Sequence, residues 1–341
     1  RSADDAAKCL DEMLAMGASV NFYMFHGGTN FGFGSGANFD RAYQPTVTSY
    51  DYDAAISESG DITPKFHAFR DVIGKYRSLP DAPLPETPKR AAFGTVALTG
   101  QAILRQSLTS LGITPVRAAA PLPMENLGQN AGFTLYRTEV TGPREEQTLH
   151  LTGVHDRVHI FIDGELRSVW YRNDAPETQP KIAVPAEGIV LELLVENMGH
   201  VNYGRRLSER KGITEGIRLG QQFLFGWEMF CLPMDDLAVL VWETVSPQPE
   251  PAFYRGTVQI EEPADTFVKL SVDQGWSKGV CFVNGFNLGR YWSTMPPEHH
   301  LYIPGPLLRV GENEIIVLEL EGQNTSAPTL ELTDMTERDS Q

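Results

Sequence analysis

The sequence predicts a short α/β segment followed by a longer region built mostly from β-strands. Helical spacing of apolar residues is confined to the first part of the chain, where residues 20–25 also form an almost continuously apolar run, as in a buried strand. From about residue 91 onward, short strand-like runs alternate with Gly, Pro, Asn and Asp, a pattern typical of sandwiches and jelly rolls. A chain of 341 residues is also long enough to form more than one folding unit.

The α/β segment is predicted to contain two helices with a strand between them. Residues 4–16 place apolar side chains at helical spacing, and Gly17 stands where a helix commonly ends. The strand at residues 20–25 is expected to be buried on both faces, as in a parallel sheet. After a glycine-rich loop at residues 27–36, Thr63 and Pro64 provide the N-cap and the first position of the second helix.

Proline-rich stretches indicate where the domains divide. Residues 79–90 contain four prolines in a polar background, which favours a stiff linker. A second proline-rich join lies near residues 247–251. The predicted divisions are the α/β segment at residues 1–78, the linker at 79–90, a first all-β domain at 91–246, a second all-β domain at 252–330 and a polar tail at 331–341.

The two predicted β domains contain stretches that look like copies of each other. The run IFIDG at residues 160–164 leads to Trp170, and the run CFVNG at residues 281–285 leads to Tyr291 at the same offset. Asp-Gly and Asn-Gly between apolar runs are strong signals for a β-hairpin. We interpret the two stretches as parts of related sandwich modules, with chance similarity between strand-like sequences as the alternative.

Charge and composition limit the classes of partner. The 28 basic and 44 acidic residues give a net charge of −16, so the surface repels phosphate groups. Nucleic acid and anionic membranes are therefore not expected as partners, and a neutral ligand is favoured. No apolar run approaches the ~18 residues that a membrane-spanning helix needs. The three cysteines are widely separated and odd in number, which indicates buried thiols rather than a disulfide framework.

Two sequence patterns suggest a cofactor or metal site, but the residues around each pattern do not support such a site. Residues 32–37 satisfy a dinucleotide-binding glycine pattern, but no helical stripe follows them. His155 and His159 have the spacing of two metal ligands on a helix, yet they lie in a strand-like run, where about 13 Å would separate them. We therefore expect neither an organic cofactor nor a metal.

A polar and aromatic loop at residues 48–53 is the strongest candidate for chemistry. Asp51 and Asp53 stand two residues apart, so an extended backbone would point both carboxylates the same way, as acid/base work requires. Aspartates in short loops more often bond to the backbone and shape turns, and we favour that interpretation. Tyrosines suit a sugar site because the ring packs on C–H faces while the hydroxyl forms a hydrogen bond.

A set of aromatic residues in the β region has two interpretations. These side chains follow the two predicted hairpins and could form a carbohydrate platform, but aromatics beside a hairpin are more often sandwich core. The residues are Trp170, Tyr171, Tyr291 and Trp292.

Several runs together resemble the β-galactosidases of glycoside hydrolase family 35. The longest, NFYMFHGGTNFG, is too long for coincidence, and the set reaches into every predicted unit. The runs are residues 21–32, 49–54, 57–61, 195–199 with 202–204, and 284–292.

The resemblance implies the end of a (β/α)8 TIM barrel at residues 1–78, followed by two all-β jelly-roll or sandwich domains, the second of them galactose-binding-like. It also implies a retaining exo-β-galactosidase (EC 3.2.1.23) that removes terminal non-reducing β-D-galactose without a cofactor. Two glutamates perform that reaction as nucleophile and acid/base. Neither has a counterpart here, and both are expected upstream of Arg1, so this chain alone is expected to be inactive. The family's galactose-contacting tyrosines match Tyr23 and Tyr52.

Two other functions remain open at this stage. One is a non-catalytic carbohydrate-binding or structural protein, and the other is a family relative that acts on another β-linked hexose. Linkage preference and oligomeric state are not readable from the sequence. The compartment also stays open, because the sparse cysteines lean towards a reducing, cytoplasmic setting while the sequon at Asn324 permits a secreted or lysosomal one.

Overall fold

The computed structural model describes residues 1–294 and 297–335. It contains two α-helices and many β-strands within these residues, numbered here along the chain. The helices are α1 (Ala3–Ala15) and α2 (Pro64–Tyr76). The strands are β1 (Ala37–Asp40), β2 (Ala42–Pro45), β3 (Gly94–Ile103), β4 (Val116–Ala118), β5 (Phe133–Val140), β6 (Arg144–His155), β7 (Arg157–Ile162), β8 (Glu165–Tyr171), β9 (Lys181–Val184), β10 (Ile189–Glu196), β11 (Gly212–Leu219), β12 (Gln222–Phe223), β13 (Trp227–Leu232), β14 (Glu243–Thr244), β15 (Ala252–Ile260), β16 (Thr266–Lys269), β17 (Lys278–Val283), β18 (Phe286–Trp292), β19 (His300–Ile303), β20 (Gly311–Glu319) and β21 (Thr329–Thr333).

The N-terminal unit, residues 1–78, contains both predicted helices. Helix α1 ends before Gly17, which has a φ of +77° and donates its N–H to Leu14. Helix α2 begins at Pro64 after Thr63, as predicted, although the Thr63 hydroxyl donates to Ala54 and Ala55 rather than capping the helix. The two helices pack against each other.

The predicted buried strand at residues 20–25 is wrong. The segment is irregular, and its side chains alternate between half-buried and exposed. A strand that is buried on both faces needs paired neighbours and covering helices. Among the described residues, the pairing beside this segment is limited to an isolated bridge between His26 and Ile56.

The first sandwich consists of two sheets that enclose one apolar core. A six-stranded sheet has the order β4-β13-β5-β10-β7-β8, and a four-stranded sheet has the order β12-β11-β6-β9. Their inward-facing side chains include Leu151, Ile160 and Leu193, all essentially buried. The sandwich therefore has its own core, and the burial of apolar surface in this core stabilises the sandwich.

The second sandwich begins earlier in the chain than predicted. Strand β3 pairs with β21 through its first half and with β15 through its second half. The predicted first domain of 91–246 therefore starts with a strand of the second sandwich, because β3 forms backbone hydrogen bonds with β15 and β21. Strand β21 also continues to Thr333, beyond the predicted domain end at 330, while residues 336–341 of the predicted polar tail lie outside the described residues.

The two sequence copies form equivalent hairpins. In β7–β8 the turn residues Asp163 and Gly164 have φ values of +51° and +85°, and in β17–β18 Asn284 and Gly285 have +50° and +82°. Positive φ at both central residues defines the type I′ turn that Asp-Gly and Asn-Gly favour. Each hairpin also shifts register at the corresponding point of its first strand, between residues 160 and 161 and between 281 and 282.

The two sandwiches pack together through apolar and charged contacts. Phe133 and Phe161 of the first share a buried cluster with Phe282 of the second. In the same region the Lys278 ammonium of the second sandwich donates to the Glu196 carboxylate of the first, and both side chains are buried. A buried charge is tolerated only when it is paired, so this contact fixes how the two sandwiches meet.

Candidate functional site

Three tyrosines form an exposed cluster on the N-terminal unit. The Tyr23 hydroxyl lies 3.1 Å from the Tyr50 hydroxyl, and the rings of Tyr50 and Tyr52 lie 4.5 Å apart. Tyr23 is 84% exposed and Tyr52 is 67% exposed. The hydrogen bond with Tyr23 and partial desolvation raise the pKa of Tyr50 to about 12, so the Tyr50 phenol is neutral at physiological pH. The structure thus brings together the two predicted contact residues through Tyr50.

The segment that carries Tyr50 and Tyr52, called here the tyrosine loop (residues 46–53), is held by the backbone of the preceding glycine-rich loop. Tyr50 donates its N–H to Gly28, and Asn30 donates its N–H to Thr48. A Cβ at Gly27 would lie 2.6 Å from the Asp51 Cα, so this position requires glycine. The glycine-rich loop therefore lets two backbones approach closely.

Asp51 shapes the loop. Its carboxylate accepts the backbone N–H groups of Asp53 and Glu58, each at 2.9 Å. The Asp53 carboxylate accepts from the Lys65 ammonium at 2.7 Å. These contacts match the turn-forming role favoured from sequence over a paired acid and base.

Glu58 is a residue whose contacts the sequence did not indicate. Its two carboxylate oxygens accept hydroxyl hydrogen bonds from Thr29, at 2.5 Å, and from Ser49, at 2.7 Å. It thereby links the glycine-rich loop to the tyrosine loop. Glu58 lies in the run at residues 57–61, but no local spacing connects it with Thr29, which lies 29 residues earlier.

A polar cavity lies on the other side of the tyrosine loop. Its volume is about 430 Å³, and Ser49 and Asp51 line it whereas Tyr50 and Tyr52 do not. The remaining wall comes from residues 57–59 and 61–64, from Thr87 and Arg90, and from Phe267 and His300 of the second sandwich. Alternate residues of the loop therefore face two different environments, the cavity and the solvent-exposed tyrosine cluster.

The aromatic residues of the hairpins do not form a platform. Trp170 and Tyr291 are buried core residues, at 8% and 1% exposure. Tyr171 and Trp292 pack edge to face, with ring centroids 6.1 Å apart, where the two sandwiches meet the β1–β2 hairpin. This agrees with the core interpretation.

Within residues 1–294 and 297–335, no group of three or more His, Cys, Asp or Glu side chains is arranged to hold a metal ion. The cysteines are free, and Cys281 is buried while Cys9 and Cys231 are half-buried. In the described part of the chain, neither helix has the length and apolar character needed to cross a membrane.

Family models match the three units in order. Residues 1–76 match glycosyl hydrolases family 35, residues 121–233 match the β-galactosidase first all-beta domain, and residues 251–313 match the β-galactosidase galactose-binding domain. All three descriptions belong to glycosyl hydrolases or β-galactosidases, so the class of protein that this chain resembles is the glycosidases.

Curated relatives extend the match over nearly the whole chain. A β-galactosidase-1-like protein of Mus musculus is 41% identical over 94% of this chain, and the β-galactosidase of Bos taurus is 38% identical over 94%. β-Galactosidase 17 of Arabidopsis thaliana is 37% identical over 97%. The chain is similar to the C-terminal portion of β-galactosidases, and its N-terminal unit matches glycosyl hydrolases family 35. It spans about half the length of these relatives, 51%, 52% and 51% respectively.

Among solved structures, a GH2 β-galacturonidase from Eisenbergiella tayi is similar over 70% of this chain and 38% of its own, with 12% identity and a TM-score of 0.23. This similarity is too low to support an inference.

Proposed function

We propose that the complete protein is a retaining exo-β-galactosidase that hydrolyses terminal non-reducing β-D-galactose, and that this chain supplies one wall of its sugar site. The observation that carries the proposal is the exposed cluster of Tyr23, Tyr50 and Tyr52 on the unit that matches family 35. We further propose that residues 1–78 complete a (β/α)8 barrel, in which active sites lie at the carboxyl ends of strands and in the loops that follow.

In this proposal the chain binds and orients the sugar rather than performing bond cleavage. A tyrosine ring can pack on the C–H face of galactose, and the Tyr52 hydroxyl can bond to a sugar hydroxyl. Double displacement requires a carboxylate nucleophile and a carboxylic acid, with about 5–5.5 Å between the two groups. Asp51 and Asp53 are bonded to the backbone and to Lys65, so the pair is assigned to the half of the relatives' length that this chain does not cover.

The test compares this chain with the full-length protein on a chromogenic β-galactoside. We expect the full-length protein to hydrolyse it and residues 1–341 to show no turnover, because sugar contacts without nucleophile and acid do not lower the barrier. Turnover by residues 1–341 that is lost on changing Asp51 or Asp53 would overturn the assignment and make those carboxylates catalytic.

The same assay separates the two remaining alternatives. A full-length protein that binds galactose without hydrolysing any galactoside would be a carbohydrate-binding protein. Preferential hydrolysis of another β-hexoside, such as a β-glucosaminide, would instead assign it to that hexose.

A further inference from the structure

We propose that the second sandwich positions the tyrosine loop for the reaction, and that Glu298 is the positioning residue. The inference rests on the proposed function, because it takes the tyrosine loop as part of the sugar site. It assigns to this sandwich a mechanical role in the galactosidase site that does not require the sandwich itself to contact sugar.

Glu298 binds the tyrosine loop directly. One carboxylate oxygen accepts the Thr48 N–H at 2.8 Å, and the other accepts the Ser49 N–H at 2.5 Å. The residue is 4% exposed, so water does not compete for these hydrogen bonds. Its own backbone is fixed by a reciprocal pair of hydrogen bonds with Trp292 at the end of β18. A rigid strand end thus holds the two residues that precede Tyr50.

A second set of contacts from the same sandwich reinforces this placement. The Thr48 hydroxyl donates to the Arg290 carbonyl at 2.7 Å, and the Arg290 guanidinium donates to the Thr46 carbonyl at 2.6 Å. A Cβ at Gly289 would lie 2.5 Å from the Thr48 side chain, so the strand and the loop meet at a glycine. The loop is therefore seated on β18 as well as on Glu298.

The position of the loop matters because it aims the phenol groups. Tyr52 and Asp53 both adopt left-handed backbone conformations, with φ of +48° and +54°, which non-glycine residues keep only where surrounding contacts enforce them. A displacement of about 1 Å at a substrate-orienting group can cost about a hundredfold in rate. Glu298 does not touch the proposed sugar surface, so it acts through the tyrosine loop.

Glu319 provides a matched control in the same sandwich. It is also a buried carboxylate, and it accepts backbone N–H groups from Ser277 and Glu321. Those partners belong to the second sandwich itself, and none of its hydrogen bonds within the described residues goes to the tyrosine loop. The Glu319→Ala variant therefore shows the effect of general damage to the second sandwich, while the hydrogen bonds between Glu298 and the tyrosine loop remain.

The first experiment measures kcat and KM of the full-length protein on a β-galactoside, together with the melting temperature. Glu298→Ala should lower kcat/KM by about tenfold or more, and Glu298→Gln, which keeps one acceptor, should fall between Ala and wild type. Glu319→Ala should lower the melting temperature while kcat/KM of the folded fraction stays within about twofold of wild type. Equal kinetic losses in the Glu298 and Glu319 variants would overturn the proposal.

The second experiment needs no activity and uses residues 1–341. Amide hydrogen exchange of residues 48–53 should become at least about tenfold faster in Glu298→Ala and should not change in Glu319→Ala. If the amide hydrogen exchange of residues 48–53 does not change in Glu298→Ala, Glu298 does not position the loop, and this conclusion holds even if the full-length protein is active. Faster exchange in a full-length protein that hydrolyses no galactoside would locate the error in the proposed function instead.

Discussion

At the scale of single residues, Tyr52 is the most direct test of the proposed sugar contact. The Tyr52→Phe change removes the hydroxyl but keeps the ring that lies against Tyr50. One lost hydrogen bond to a neutral hydroxyl costs about 0.5–1.5 kcal/mol, so kcat/KM of the full-length protein should fall by about twofold to tenfold. The melting temperature should stay unchanged because this side chain is 67% exposed.

Tyr23→Phe is the companion variant, because it removes the hydroxyl that meets Tyr50 at 3.1 Å. Its kcat/KM should fall over a similar range if the hydroxyl also faces the sugar.

For Tyr52→Phe, unaltered kinetics with a lower melting temperature would show that Tyr52 is structural and that the sugar surface lies elsewhere.

The sequence identified Tyr23 and Tyr52 through a family resemblance, whereas the residues that hold them were not predictable. Glu298 lies 250 residues from Thr48, and no local spacing links a carboxylate on one strand end to backbone N–H groups on a distant loop. The role of Asp51 was predictable, because an aspartate that bonds N–H groups two and seven residues later follows ordinary turn chemistry.

At the scale of elements, local signals predicted local structure. Both helices and both Asp-Gly or Asn-Gly hairpins occur as expected, because helix ends and positive-φ turns depend on neighbouring residues, although the predicted Thr63 side-chain cap does not form. Strand β3 was assigned to the first sandwich because it precedes it in sequence. It lies instead in the second, between β15 and β21, since strand pairing depends on partners that are more than 140 residues away.

The placement of β3 predicts where the chain can be shortened. A fragment of residues 89–341 should fold, because each sandwich keeps its strands and its core. A fragment of residues 104–341 lacks β3, which exposes the facing edges of β15 and β21 and removes Val96 and Leu98 from the core. Removing one large buried aliphatic side chain lowers the free energy of unfolding by about 2–5 kcal/mol.

We therefore expect the shorter fragment to be insoluble or to melt far below the longer one. The check is circular dichroism melting of both fragments, with residues 1–78 alone, which should not unfold cooperatively, as a third sample. Identical melting of the two β fragments would contradict the assignment of β3 to the second sandwich.

At the scale of the whole molecule, polar contacts join the three units around the tyrosine loop. The Arg290 guanidinium of the second sandwich donates both to Thr46 of the N-terminal unit and to Met198 of the first sandwich. The overall negative charge and the change from helical to strand-like patterning could be read from the sequence. The contacts between units could not, because they depend on single buried side chains such as Lys278 and Glu196 that look like ordinary surface charges in a strand sequence.

Two buried carboxylates of the second sandwich make the stability of the chain depend on pH. Burial raises the pKa of Glu298 to about 8 and that of Glu319 to about 7, both above the ordinary value of a glutamate. A raised folded-state pKa contributes stability that is present below the ordinary value and is lost as pH rises through the folded-state value. Between pH 6.5 and 7.5 the unfolding free energy should therefore fall, by about 1–2 kcal/mol, which corresponds to a few degrees of melting temperature.

The pH window is set by the other buried groups. Burial lowers the pKa of His155 and His159, so their protonation in the unfolded chain reduces stability as pH falls towards about 6.5, the ordinary histidine value, and this offsets part of the expected change at the lower end of the range. Lys278, with a pKa lowered to about 8, remains mostly protonated up to pH 7.5. The measurement is the melting temperature of residues 1–341 at pH 6.5, 7.0 and 7.5, compared with a Glu298→Gln, Glu319→Gln double variant, in which the slope should be flatter because neither position titrates. A wild-type melting temperature that rises over this range would show that both carboxylates are ionised throughout and that the backbone N–H groups they accept, rather than burial, set their pKa.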